Sequence, residues 1–182
     1  MSAALTRRFG LAGGLAWVGI LTFGVVAEQT KTRLEVANET KNTKEATDAK
    51  EVVLGNGLRV LDLKVGGGQR PFNGALVLLN YRGIVRDTGE VFEDTFARGK
   101  PIVYSYGSRP FTGGLCKGVE LGLADMRNGG RRKIIVPPDL GFGTEGFALQ
   151  GTRHVEDKKG RIPPNATLEY EVELLRVSIA PS

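Results

Sequence analysis

The residues best equipped for chemistry in this chain are few. There is one histidine, His154, and one cysteine, Cys116. A catalytic triad needs a base beside its nucleophile and a third group to orient that base. A metal centre of the zinc type needs three or four imidazole, thiolate or carboxylate ligands. Neither can be built around a single histidine in a polar loop, so no metal and no cofactor is expected. Gly141-Phe-Gly143-Thr-Glu-Gly146 has the G-x-G-x-x-G spacing of a dinucleotide loop. That loop binds a pyrophosphate only where a strand runs straight into a helix N-terminus. Here Pro137-Pro138 intervenes and no capped helix follows, so the match is set aside. Cys116 lies among apolar residues in a helical pattern and reads as a buried structural thiol. With no second cysteine, an intramolecular disulfide is excluded. The sequons at Asn38 and Asn165 read as incidental. The net charge of +5 is modest. The one dense basic cluster, Arg127, Arg131, Arg132 and Lys133, reads as a solvated turn and strand edge. A nucleic-acid binder concentrates its basic residues on one face, and this modest surplus does not, so no nucleic-acid partner is expected.

The elements that must position any site are short strands. Leu58–Val65 alternates apolar and polar residues imperfectly and stops at Gly66-Gly-Gly68. Ala75–Val85 is an apolar run suited to an interior strand. Asp87-Thr88-Gly89 supplies a turn, with Glu90–Glu93 returning. Pro101–Tyr106 and Arg132–Val136 are further strands. Between them Leu115, Val119, Leu123 and Met126 fall at helical spacing, ended by Asn128-Gly129-Gly130. In Thr167–Val177, Leu168, Tyr170, Val172 and Leu174 alternate with Glu169, Glu171 and Glu173, giving a core face and a water face. The fold class is therefore α+β, with five or six mostly antiparallel strands curled over one short helix.

Ahead of this domain, at 51–182, come two other segments. Residues 1–27 pair Arg7-Arg8 with the uncharged run Phe9–Ala27, about long enough to cross a bilayer as a helix. A twin-arginine export signal cut after Ala27 and a retained membrane anchor both fit. Residues 28–50 are polar with balanced charge and read as a linker, with room for a short helix near Lys44–Lys50.

Four stretches then carry a family resemblance. They are Leu79-Asn-Tyr81-Arg-Gly83, Gly89-Glu-Val-Phe92-Glu-Asp-Thr, Ile135-Val-Pro-Pro-Asp-Leu-Gly141-Phe142-Gly143, and Ile162-Pro163-Pro164-Asn-Ala-Thr-Leu168-Glu-Tyr170-Glu-Val-Glu-Leu-Leu175. In order and spacing they resemble an FKBP-type peptidyl-prolyl cis-trans isomerase over about Gly55 to Val177. The leader and the ending Arg176–Ser182 are similar to the thylakoid-lumen branch of plants and algae. The resemblance implies a half-barrel wrapped around a short helix, with a prolyl pocket between them. It places Tyr81, Phe92, Glu93, Phe142, Ile162 and Tyr170 in the catalytic wall. Ile102, Phe111, Thr112 and Leu115 become substrate-binding positions, Thr112 through its backbone N–H. It implies proline-containing protein segments as partners, and a location in the thylakoid lumen or on the lumenal side of its membrane, with a bacterial periplasm as the alternative. Residues 9–27 would hold the membrane if uncut.

The chain departs from the family pattern in ways that matter. Leu115 stands where the pocket floor is typically tryptophan, and Phe142 where a tyrosine hydroxyl is usual. Ile102 replaces an aromatic wall residue, and Glu93 an aspartate. Together these remove a donor and stacking surface, so weakened isomerase activity is expected. A second reading is a binding module that has lost most catalysis and serves as an assembly factor or auxiliary subunit of a photosynthetic membrane complex. The polar loop Gly143–Arg161, with Glu145, Arg153, His154, Glu156, Asp157, Lys158 and Lys159, is longer than usual and is expected to meet a protein partner.

Overall fold

Two long strands organise the sheet. Strand β4 (Ala75–Val85) buries every second residue, and β10 (Leu168–Ile179) lies antiparallel to it along nearly its whole length. Leu168, Tyr170, Val172 and Leu174 are all completely buried, as their alternation predicts. A bulge between Leu174 and Arg176 inserts one residue, after which Val177 again points inward.

The structure is a computed structural model that describes residues 2–46, 50–149 and 161–179; the side chains of residues 2–19 and 35 lie outside that description. In chain order, α1 (Ser2–Asn42) is followed by β1 (Lys44–Glu45), β2 (Val52–Val53) and β3 (Arg59–Val65), ahead of β4. Then come β5 (Val91–Asp94), α2 (Thr95–Arg98), β6 (Ile102–Ser105), α3 (Lys117–Leu123) and β7 (Arg131–Val136). A 3-10 turn (Pro138–Leu140), β8 (Phe147–Ala148) and β9 (Arg161–Ile162) precede β10. The main sheet runs β1-β3-β7-β10-β4-β5, with β2 on β3 and β6 on β4, and β8–β9 form a separate pair. All recorded pairings are antiparallel. The architecture is the α+β arrangement expected, an open antiparallel sheet closed by a short helix.

Three differences from expectation have physical causes. The polar stretch 28–42 is helical, continuing α1, and Lys44–Glu45 pairs as a strand with Lys64–Val65 rather than forming a helix. The chain divides into one compact unit ending at Asn38 and another starting at Glu39. Within the second, Gly67 and Gly68 lie against Glu39 and Asn42, where a Cβ would collide, so the glycine triplet is a packing surface as well as a strand breaker. Helix α3 spans Lys117–Leu123, so Leu115 and Met126 bury themselves from just outside it. Lastly, Arg132 is not solvated. It is 5% exposed, donates to Gly122 O at 2.7 Å, forks onto Asp62 at 2.6 and 3.0 Å, and pairs with Asp125. The fork geometry of guanidinium suits such a clamp between sheet and helix end.

Helix α3 owes its depth to two glycines. A Cβ on Gly118 would run into the Val136 side chain, and one on Gly122 would lie 2.6 Å from Ile134 Cδ1. Gly122→Ala should therefore destabilise the fold by ~1–3 kcal/mol through overpacking. This is the reverse of the ~1 kcal/mol gain that helix propensity alone predicts, and urea unfolding midpoints give the sign. The Asp125 carboxyl supplies a second prediction. Burial pushes it up, but hydrogen bonding to Arg132 and that residue's charge outweigh burial and hold it below the usual carboxylate range. A depressed folded value means stability present above the unfolded value, ~3.9, and lost as pH falls through the folded one. Asp125→Asn should be less stable at neutral pH and should lose less stability than the parent between about pH 5 and pH 2.

Candidate functional site

The candidate site begins at Gly83. This residue pairs with Tyr170 on one side and Glu93 on the other. A Cβ here would collide with the Phe92 ring, so the missing side chain lets that ring cross the strand. Phe92 thus meets Tyr170 edge-on, with centroids 5.6 Å apart and planes at 79°. Tyr81, two positions along the same strand face, lies 5.9 Å from Tyr170 at 42°. Tilted and edge-on contacts are those the aromatic quadrupole favours.

Tyr81 is fixed by a residue that sequence reading passed over. Thr95, completely buried at the start of α2, accepts from Tyr81 N–H at 2.8 Å, and its hydroxyl lies 3.2 Å from Tyr81 O and 3.1 Å from Asn80 Oδ1. Its position directly after the acidic Glu93-Asp94 pair, with Asp94 capping Ala97 N–H at 3.0 Å, was the available signal.

Both tyrosines then reach across to the segment before α3. Tyr81 Oη donates to Gly113 O at 3.1 Å and Tyr170 Oη to Gly114 O at 2.7 Å. Burial pushes both phenols well above their ordinary range, so they remain protonated donors. Gly114 (φ +72) sits in the left-handed region, which favours glycine. A Cβ there would lie 3.1 Å from Leu149 Cδ2, 3.3 Å from Tyr81 Oη and 3.4 Å from Phe92 Cε2. Three walls of the site therefore converge on this glycine.

Tyr81, Phe92, Leu115, Ile162 and Tyr170 belong to one buried cluster, and Ile102, Phe111 and Phe142 pack against it partly exposed. Phe142 also stacks on Phe147 at 4.7 Å and 17°, and Phe147 pairs with Ile162 across β8–β9. Glu93 is buried, with its Oε1 2.5 Å from Arg98 Nη2. Thr112 stands apart, exposed in the turn, where its carbonyl accepts from Leu115 N–H at 3.2 Å. Leu149 is the second residue that sequence reading missed. It is 6% exposed and part of the same cluster. The only hint was an apolar Phe147-Ala-Leu149 run at the head of a polar loop. Tyr81, Ile162 and Tyr170 expose no surface in this conformation, with Leu149 packed beside them. His154 and the rest of residues 150–160 lie outside the described residues.

Among the described residues no cluster of histidine, cysteine or acidic side chains could hold a metal ion. Cys116 is 2% exposed and burial pushes its thiol up, away from nucleophile range. What the arrangement offers is a dry, ring-lined site whose polar groups are engaged in holding it together.

The comparisons with known proteins agree with this geometry. Residues 67–175 match the FKBP-type peptidyl-prolyl cis-trans isomerase family. The chain is 48% identical over 187 residues to the peptidyl-prolyl cis-trans isomerase FKBP17-2, chloroplastic, of Arabidopsis thaliana, covering 100% of this chain and 73% of that protein. Among solved structures, the N-terminal domain of FKBP42 from Arabidopsis thaliana superposes with a TM-score of 0.58 at 28% identity, covering 75% of this chain and 98% of that one. FkpA from Escherichia coli gives 0.58 at 26% identity, covering 100% of this chain and 75% of its own. The chain belongs to the FKBP-type peptidyl-prolyl cis-trans isomerase family.

Proposed function

We propose that the cluster of Tyr81, Phe92, Ile162 and Tyr170 receives the proline of a protein segment and speeds its cis-trans isomerisation, at a rate held down by Leu115, Phe142 and Leu149. The observation that carries this reading is the convergence of three aromatic rings and Leu149 on Gly114.

The chemistry needs no nucleophile. Amide resonance sets a barrier of ~18–20 kcal/mol to rotation, and proline removes most of the cis penalty while leaving the rotation slow. At the twisted transition state the resonance is broken and the carbonyl carries less charge. A dry apolar wall therefore favours the twisted form over the planar one. Protonated tyrosines engaged with Gly113 and Gly114 keep that wall rigid without charge. Leu115 in place of an aromatic floor provides less stacking surface. Phe142 lacks the hydroxyl typical of its position. Leu149 must move aside before a pyrrolidine can touch Tyr81 or Tyr170, which have no exposed surface.

In this reading the protein works in a chloroplast, in the thylakoid lumen or on the lumenal side of its membrane. The chloroplastic relative that aligns with all of this chain supports the organelle. Exposure of Ile20, Leu21, Phe23, Val25 and Val26 on α1 supports a role for residues 9–27 as anchor or leader. Among the described residues, however, no helix is long and apolar enough to cross a membrane. The second reading, a binding module attached to a photosynthetic complex, draws support from the closed state of the cluster.

A protease-coupled assay of the full chain on a proline tetrapeptide should show acceleration proportional to protein concentration. Rates equal to the uncatalysed reaction would remove the enzyme reading and leave the binding module. Leu115→Trp with Phe142→Tyr should raise kcat/KM about tenfold or more, corresponding to at least ~1.4 kcal/mol of transition-state stabilisation. N-terminal sequencing of the native protein tests the leader: a start at Glu28 means cleavage, and a start ahead of Phe9 means an anchor.

A further inference from the structure

One charged side chain outside the ring cluster has more partners than helix stability requires. Glu120, on α3, is 13% exposed at its side chain and pairs with Arg109, whose Nη2 lies 2.8 Å from Oε1 and Nη1 3.2 Å from Oε2. The same Oε2 accepts from Gly107 N–H at 3.0 Å and from the Tyr104 hydroxyl. The Glu120 carbonyl accepts from Tyr106 Oη at 3.2 Å. Donors from four residues of β6 and the loop after it thus converge on one helical residue.

What they hold is the loop bearing Phe111 and Thr112. Arg109, once forked onto Glu120, lies over the Phe111 ring with its guanidinium carbon 4.0 Å from the centroid. Tyr104 lies near-parallel to the same ring at 30°, centroids 6.3 Å apart. Phe111 therefore packs against two residues that both end on the Glu120 carboxylate. Further along, the loop is fixed again where Gly113 O and Gly114 O accept from Tyr81 and Tyr170. Neither pin alone defines the path of residues 107–114. The ring quadrupole attracts a cation placed over its face, and a bidentate carboxylate–guanidinium pair adds direction as well as energy.

We propose that Glu120 is a positioning residue for substrate: acting through Arg109 and Tyr104, it sets the Phe111–Thr112 wall against which the residues flanking the proline are bound. This rests on the reading of the ring cluster as a prolyl site. The carboxylate touches no substrate itself. Its work is to keep a glycine-rich loop in one conformation, lowering the ordering cost of binding.

The test uses the full chain, its Glu120→Gln and Arg109→Lys variants, and the tetrapeptide Ala-Leu-Pro-Phe as probe. Peptide Kd is read by NMR titration and the Gly107 amide by hydrogen exchange, so the result stands whether or not the parent proves catalytic. Both variants should weaken Kd by about tenfold, equivalent to ~1.4 kcal/mol, and should speed Gly107 exchange. Where the parent is active, the loss should fall on KM with kcat little changed. Faster exchange with unchanged Kd in both variants would reduce Glu120 to a purely structural role and overturn the proposal. Unchanged Gly107 exchange would overturn it as well. Should Glu120→Gln fail to fold, Arg109→Lys decides alone, since it keeps the charge but loses the fork and the stacking on Phe111.

Discussion

The structure depends on how closely α3 approaches β7. Gly118 and Gly122 present bare backbone to Val136 and Ile134, and no other residue type fits at that depth. The helix then stands where the two carbonyls before it, on Gly113 and Gly114, meet the hydroxyls of Tyr81 and Tyr170. A helix one methyl group further out would shift both acceptors from both donors. A buried acceptor without a partner costs ~1–3 kcal/mol, so the backbone contact and the polar contacts reinforce one another. Helix placement, tyrosine orientation and the path of the following loop form one coupled arrangement.

The site separates rigidity from charge. Its polar atoms are committed to backbone or ion-pair partners: the phenols to glycine carbonyls, Glu93 to Arg98, and Thr95 to the strand carrying Tyr81. Burial holds the two phenols protonated at neutral pH. The resulting surface is apolar but stiff. That suits a reaction in which bond order changes while no bond to protein forms.

Most of the framework was legible from the sequence because its signals are local. An apolar run gave β4 and alternation gave β10, both nearly to the residue, and Leu115, Val119, Leu123 and Met126 all proved buried. The errors arose where burial depends on distant partners. Arg132 looked like surface charge because nothing in its own strand shows that Asp62 and Asp125 converge on it from either side. The polar stretch 28–42 lacked an apolar face and read as linker, yet it continues α1, extending a helix already nucleated upstream. In the site, motif spacing located Tyr81, Phe92, Ile162 and Tyr170 together, because each lies on or beside a regular strand. Leu149 and Thr95 escaped notice because their importance is set by what they touch across the fold.

Glycines 66–68 form a saddle whose consequence reaches beyond folding. Gly67 and Gly68 admit Glu39 and Asn42 at distances where any side chain would collide, Gly66 lies as close to the backbone of residues 127–130, and Asn128 Nδ2 donates to Glu39 at 3.2 Å. The end of α1 therefore serves as a plug for the domain's own surface. Proteolytic trimming at Glu28 leaves that plug seated, whereas a truncation at Glu51 would uncover backbone shaped to receive a helix and offer it to any neighbouring chain.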